Sequence, residues 1–356
     1  MTALPVDYGL LVRELHRLAA EKRQPVNGTF ELTARCNLAC RMCYVNQETN
    51  SKNELKSELT AGKWLKLAEQ AVENGMVFLL LTGGEVFLRP DFFDIYTPLT
   101  RMGLILTLFT NGTLLTDNIA AKLAEAPPNR TEVTIYGATK KTFETVTGVP
   151  GSYERCINGI ELLKKHRVPL GLKSTLTRQN VGELEAMREM AHSWGLPFSA
   201  GWLLSKRVDG AYSEVENCRI SAADCVNLEA SDKASATDWT EAALRESQNE
   251  NQSNFYCQVG KAAFIINPKG EMNICLDLNQ PAAKPLEVGF SAAWADVKNY
   301  VDTAPPLSKA CFECEARHFC PRCPAWSELE TGTLTEPVPY LCEIAFARKE
   351  LYEKGK

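Results

Sequence analysis

Three cysteines within eight residues constrain this chain more than any other feature. Cys36-Asn37-Leu38-Ala39-Cys40-Arg41-Met42-Cys43 spaces its thiols by three and then two residues. A loop that short wraps its cysteines around a single metal centre. Three thiolates fill three irons of a four-iron, four-sulfur cluster and leave the fourth iron open. A structural zinc site wants four closed ligands, and no fourth cysteine or histidine lies nearby. The chain holds thirteen cysteines in 356 residues, seven of them in its last hundred. Scattered core packing does not bunch residues in this way. Clustered thiols outside the secretory pathway bind metal rather than pair as disulfides. The N-terminus lacks the basic start, apolar stretch and small-residue cleavage site of a secretory signal, so the expected compartment is the cytoplasm. His16, His166, His192 and His318 form no local pair, which argues against imidazole-rich metal sites.

Charge and hydropathy remove other classes. Lys plus Arg number 39 against 44 Asp plus Glu, a formal net charge of −5, which offers no footprint for nucleic acid or an anionic membrane. The longest apolar run, residues 76–81, is far short of the ~20 residues that cross a bilayer. Hydrophobic residues make up 45% of the chain, enough for a sizeable core, and the length predicts about two domains.

Residues 1–27 read as a short helix, with Leu10, Leu11, Leu15 and Leu18 at helical spacing. An alternation follows. Strands are expected over 30–33, 77–81, 104–109, 132–136, 169–175 and 198–203, and helices over 60–73, 90–102, 116–126, 153–166 and 181–194. Six strand–helix units with continuous apolar strands predict a parallel sheet covered by helices, with ligands at the strands' C-terminal ends. The stretch 213–254 is polar and partly helical. Beyond it the sequence predicts one hairpin, 262–267 and 271–276 around Pro268-Lys269-Gly270, with short helices and loops around the cysteines. So little apolar periodicity predicts bound metal as the staple.

The cysteine loop after the first strand, followed forty residues later by Gly83-Gly84-Glu85 at the next strand end, resembles the radical S-adenosylmethionine (radical SAM) enzymes. That resemblance implies an α/β fold, a partial (β/α)6 TIM-like barrel over residues 28–204. It also implies that SAM chelates the open iron and is cleaved reductively to a 5′-deoxyadenosyl radical, which abstracts hydrogen from substrate. Gly83, Gly84 and Glu85 would meet the SAM methionine group, glycines allowing close backbone approach. Thr110, Asn111, Lys173 and Ser174 match other SAM-contacting positions, with the lysine facing the carboxylate. Met42 stands where an aromatic residue usually packs on adenine, and a thioether can pack there too. No catalytic residue is assigned.

The later cysteines resemble the family's SPASM extension, which carries two auxiliary four-iron clusters, three clusters in all. By position, Cys311, Cys314, Cys320 and Cys342 would hold the outer cluster, and Cys257, Cys275 and Cys323 the inner one. The gap before Cys323 is two residues where the family has three. An open iron, Cys218 or Cys225, or an oxygen ligand is left for the fourth inner position. A zinc knuckle on Cys311, Cys314, Cys320 and Cys323 is the bland alternative. The organisation expected is thus helix 1–27, barrel 28–204, helical bridge 205–254 and SPASM domain 255–356.

The resemblance further implies a peptide substrate, maturation of a ribosomally made peptide by a thioether or other cross-link or by epimerisation, and an electron donor such as flavodoxin or ferredoxin. Only 27 residues precede Gly28, so an N-terminal leader-binding domain is expected to be absent, which leaves either a separate protein that presents the leader or recognition by another surface. The runner-up is a sulfatase-type formylglycine-generating maturase, where an Asp directly follows the cysteine equivalent to Cys275. Here Leu276 intervenes before Asp277, and strand alternation would turn Asp277 away. A non-catalytic iron–sulfur or zinc binding protein is the third hypothesis.

Overall fold

The computed structural model describes residues 8–45, 47–231 and 254–354. Six parallel strands appear where the apolar runs predict them: β1 (Asn27–Glu31), β2 (Phe78–Thr82), β3 (Ile105–Thr110), β4 (Arg130–Thr134), β5 (Leu170–Thr175) and β6 (Phe198–Gly201). Each pairs with the next in sequence order. Between them lie α2 (Ala61–Glu73), α3 (Phe92–Leu99), α4 (Asp117–Glu125), α5 (Lys140–Thr147), α6 (Ser152–Lys165) and α7 (Leu184–Ser193). Their buried faces close over the strands, as where Trp64 of α2 packs on Phe30 of β1 with ring centroids 5.0 Å apart. This is the α/β parallel arrangement of a partial TIM-like barrel. Helix α5 was not expected, although its signals are local: Thr139 accepts from the Thr142 N–H at the start, and Gly148 ends it at φ +68°.

The predicted hairpin forms as β7 (Ala263–Ile266) and β8 (Met272–Asn273). It joins the barrel sheet, because β7 pairs parallel with β1 in the register Asn27↔Ala263 to Phe30↔Ile266. The strand order is therefore β8-β7-β1-β2-β3-β4-β5-β6. The expectation of only short helices around the C-terminal cysteines is corrected. Helix α9 (Phe290–Asp302) runs 13 residues and α10 (Pro339–Lys354) 16. Phe290, Ala293, Trp294 and Val297 make an i, i+3, i+4, i+7 stripe that α9 buries, against Phe264 of β7 among others.

Helix α1 (Tyr8–Lys22) exists too, but the leucines are not its buried face. Leu10, Leu11 and Leu18 are exposed, and the helix docks through Ala19 and His16 against Val26, Ala262 and Phe78. Of the polar bridge, α8 (Ala222–Ser231) is helical, and residues 232–253 lie outside those described. Arg348 of α10 clamps Glu229 of α8 in a buried pair at 2.5 and 2.7 Å. No described helix is long and apolar enough to cross a membrane.

Candidate functional site

A cavity of about 340 Å³ opens at the C-terminal ends of β2 to β5. Cys36, Cys40 and Cys43 all line it, as do Met42, Gly83, Gly84, Thr110, Asn111 and Lys173. Residues chosen from four separate stretches of sequence thus meet in one place. The cysteine loop is fixed there by its backbone and neighbours. The Ala39 N–H donates to the Thr147 carbonyl at 2.9 Å, Asn111 Nδ2 donates to Asn37 Oδ1 at 2.9 Å, and Asn37 Nδ2 to Thr113 Oγ1 at 2.7 Å. Burial pushes the Cys36 thiol up to about 12, with Glu85 and Cys43 adding to it. Burial and the two sister thiols drive Cys40 well above the ordinary range. Thiols held so far up stay protonated unless a metal replaces the proton. Among the described residues no three side chains converge as ligands of one metal ion. A four-iron cluster spreads its thiolates around four irons, and the three-sulfur set fits that group with one iron left open.

The Gly83-Gly84-Glu85 loop rides directly on the chain that enters the cysteine loop. The Gly84 N–H donates to the Thr33 carbonyl at 2.7 Å and the Glu85 N–H to the Arg35 carbonyl at 2.9 Å. Gly83 sits at φ +142°, and a Cβ on either glycine would collide with this backbone. Glu85 does not line the cavity. Its buried carboxylate accepts from Thr110 Oγ1 at 2.8 Å and from the Asn111 N–H at 2.7 Å, tying two strand ends together. Burial raises its pKa to about 7. Behind the loop, Glu58 accepts from Arg35 at 2.7 and 3.0 Å and pairs with Arg89 at 3.5 Å, all three side chains buried.

Lys173 points into the barrel, its Nζ 2.9 Å from the centroid of the Phe109 ring. Burial lowers its pKa to about 7, with Glu132 opposing. The expectation for its neighbour Ser174 is corrected. Successive strand residues face opposite sides, so Ser174 is buried away from the cavity with its Oγ unpartnered.

Sequence reasoning missed the far wall. Tyr44, Tyr136, Ser205, Asp277 and Trp326 also line the cavity. Asp277 accepts from Ser205 Oγ at 2.7 Å and Trp326 Nε1 at 3.1 Å. The argument that alternation turns Asp277 away is overturned. Cys275 and Leu278 bridge across a turn rather than running as a strand, so Leu276 and Asp277 both reach the cavity.

The C-terminal cysteines fall into two neighbourhoods. Burial, then Asp277, Cys323 and Cys257, push the Cys275 thiol up. Burial raises Cys323 to about 11, with Asp277 and Cys257 contributing. Cys320 is raised to about 12 by burial, Cys342 and Cys311, and Cys342 by burial, Cys311 and Cys314. A second cavity of about 30 Å³ is lined by Cys311, Cys320 and Cys342, with Cys323 on its wall. Cys218 and Cys225 stand apart from both groups. Cys218 packs with Leu38, Cys40 and Met42, and Cys225 Sγ lies 3.3 Å from Tyr340 Oη. Cys156 is buried in the barrel core.

Comparison with known proteins agrees with this geometry. The Radical SAM superfamily profile matches residues 30–191. The AdoMet-dependent heme synthase of Methanosarcina barkeri is 28% identical over 87% of this chain and 94% of that protein. The sporulation killing factor maturation protein SkfB of Bacillus subtilis is 23% identical over 94% of this chain and 77% of its own. For three other curated relatives the match spans 43–44% of their length. Among solved structures, Streptococcus suis SuiB bound to S-adenosylmethionine superposes with a TM-score of 0.68 at 14% identity, over 93% of this chain and 81% of that one. The matched stretch forms the barrel with three cysteines at its mouth, and the chain carries a radical SAM domain there.

Proposed function

We propose that this chain is a peptide-modifying radical SAM enzyme of the SPASM type. Cys36, Cys40 and Cys43 hold the SAM-binding cluster. Cys311, Cys314, Cys320 and Cys342 hold an outer auxiliary cluster, and Cys257, Cys275 and Cys323 an inner one. The observation that carries this reading is the shared wall. Leu276, Asp277 and Trp326, flanking Cys275 and Cys323, bound the same cavity as the first cysteine loop. When bound, the reduced cluster and SAM supply a carbon-centred radical that abstracts hydrogen from an unactivated C–H bond.

The chain's own residues prepare the place for it. Gly83, Gly84, Thr110 and Asn111 present backbone and amide groups to SAM, and Lys173 offers a cation to its carboxylate. Met42, Leu204 and Trp326 keep water from the radical. A flavodoxin- or ferredoxin-like donor brings the electron. With Asp277 turned into the cavity, oxidation of a serine or cysteine side chain is one chemistry within this reading.

Peptide substrates are supported by the near full-length match to SkfB and by the SuiB fold, also solved with precursor peptide SuiA. The match to a heme synthase raises a second reading, a carboxylated tetrapyrrole. At about 340 Å³ the cavity is near the lower end for one drug-sized ligand. SAM and one side chain suit that volume better than SAM and a macrocycle. The test is anaerobic turnover with SAM and reductant, offering either the short peptides encoded beside the gene or a carboxylated tetrapyrrole. Peptide-dependent 5′-deoxyadenosine and a peptide mass change are expected. A tetrapyrrole that is turned over while every peptide stays unchanged would sink the peptide reading.

A further inference from the structure

Strand β6 ends the sheet, and nothing among the described residues pairs with its outer side. Its register shows which backbone groups are involved. The Leu172 N–H donates to the Pro197 carbonyl and the Leu176 N–H to the Gly201 carbonyl. With Leu172↔Phe198 and Thr175↔Gly201 in register, residues 197, 199 and 201 bond inward to β5. Phe198, Ala200 and Trp202 therefore turn their N–H and C=O groups outward. Side chains alternate the other way: Phe198, Ala200 and Trp202 pack on the core, while Ser199 and Gly201 are exposed beside Lys173 and Thr175. Leu203, two residues past the strand, is 41% exposed and lines the main cavity.

Edges like this are ordinarily protected by charge, proline or a bulge. The stretch 198–204 holds no charged residue and no proline. Its small lumen-facing residues leave room for a second backbone, and the strand leads straight into the cavity. We propose that an extended segment of the peptide substrate adds to β6 as a further strand. Main-chain bonds to Phe198, Ala200 and Trp202 hold it, and the residue just beyond the pairing is delivered past Leu203 to the radical site. This rests on the peptide reading above. It makes docking largely independent of sequence along the edge, with side-chain selection left to the cavity.

The test uses anaerobically purified holoenzyme carrying the photocrosslinker p-benzoylphenylalanine in place of Leu203, the exposed large side chain at the cavity end of the edge. The probes are a pool of randomised dodecapeptides and the same pool with alternate backbone nitrogens methylated. Labelling by the unmodified pool should exceed the methylated pool by about tenfold, and Ala200→Pro, which deletes one outward donor and leaves the inner ladder intact, should lower it. Because the methylated pool needs no mutation, a misfolded proline variant does not blunt the test. Equal labelling by the two pools, or no labelling by either, overturns edge docking. Neither result touches the peptide reading, which stands or falls on turnover and mass change.

Discussion

Replacing Gly84 with alanine adds one carbon where the second strand-end loop rides on the cysteine loop. An ideal Cβ there lies 2.6 Å from the Arg35 carbonyl carbon and 2.8 Å from the Ala34 oxygen, and closer still to the Arg35 oxygen. Comfortable contact is about 3.5 Å, and every obstructing atom is backbone, so the two loops must separate by roughly an ångström. Overpacking of this kind costs about 1–3 kcal/mol. The bonds from the Gly84 and Glu85 N–H groups to Thr33 and Arg35 weaken with it, at about 1 kcal/mol each. The expected destabilisation is about 3–5 kcal/mol, and the strain falls on the residue preceding Cys36. The variant should therefore lose about one cluster, near four irons, as well as SAM affinity. Urea unfolding and iron content after anaerobic reconstitution measure both. Gly62→Ala is the control, since nothing lies within 4 Å of its added Cβ. It should be neutral or gain up to about 1 kcal/mol from helix propensity. A Gly84→Ala protein with wild-type urea midpoint and full iron would refute the claim that this close approach orders the site.

Holoenzyme is expected to carry about twelve irons, and the Cys36, Cys40, Cys43 triple alanine variant to lose about four with all SAM cleavage; 5′-deoxyadenosine from that variant would end the assignment. Cys218→Ala and Cys225→Ala should leave the auxiliary-cluster spectrum unchanged, whereas Cys275→Ala should alter it, because only Cys275 neighbours Cys257 and Cys323. An equal spectral change from Cys218 or Cys225 would close the inner site with cysteine. Lys173 titrates at about 7 against an ordinary 10.5, so the fold disfavours its charged form, and that cost is full below pH 7 and vanishes as pH rises toward 10.5. SAM-free Lys173→Met should thus be more stable than wild type at pH 6, by up to about 5 kcal/mol, with the gap closing toward pH 10 and SAM affinity lost. A gap that widens with pH would show that burial does not govern this lysine.

Local signals carried much of this protein. Apolar runs bounded by turn residues located all six barrel strands, and ligand spacing alone marked the 36–43 loop as a candidate metal site, because both depend on neighbours in the chain. The stripe Phe290, Ala293, Trp294, Val297 was equally local, and its period went unread amid the cysteines. What the sequence could not decide lay in pairings between distant segments. Whether Lys173 or Ser174 faced the cavity depended on the pleat of β5. Asp277 reached the cavity because residues 275–278 turn instead of extending. The arrival of β7 beside β1 joins residues more than two hundred positions apart, and the burial of Glu58 between Arg35 and Arg89 likewise needs both arginines already in place. Chain-local chemistry picked out the candidate residues. Tertiary packing decided which of them share a wall, since side chains from separate strands become neighbours only when the sheet that orders them has closed.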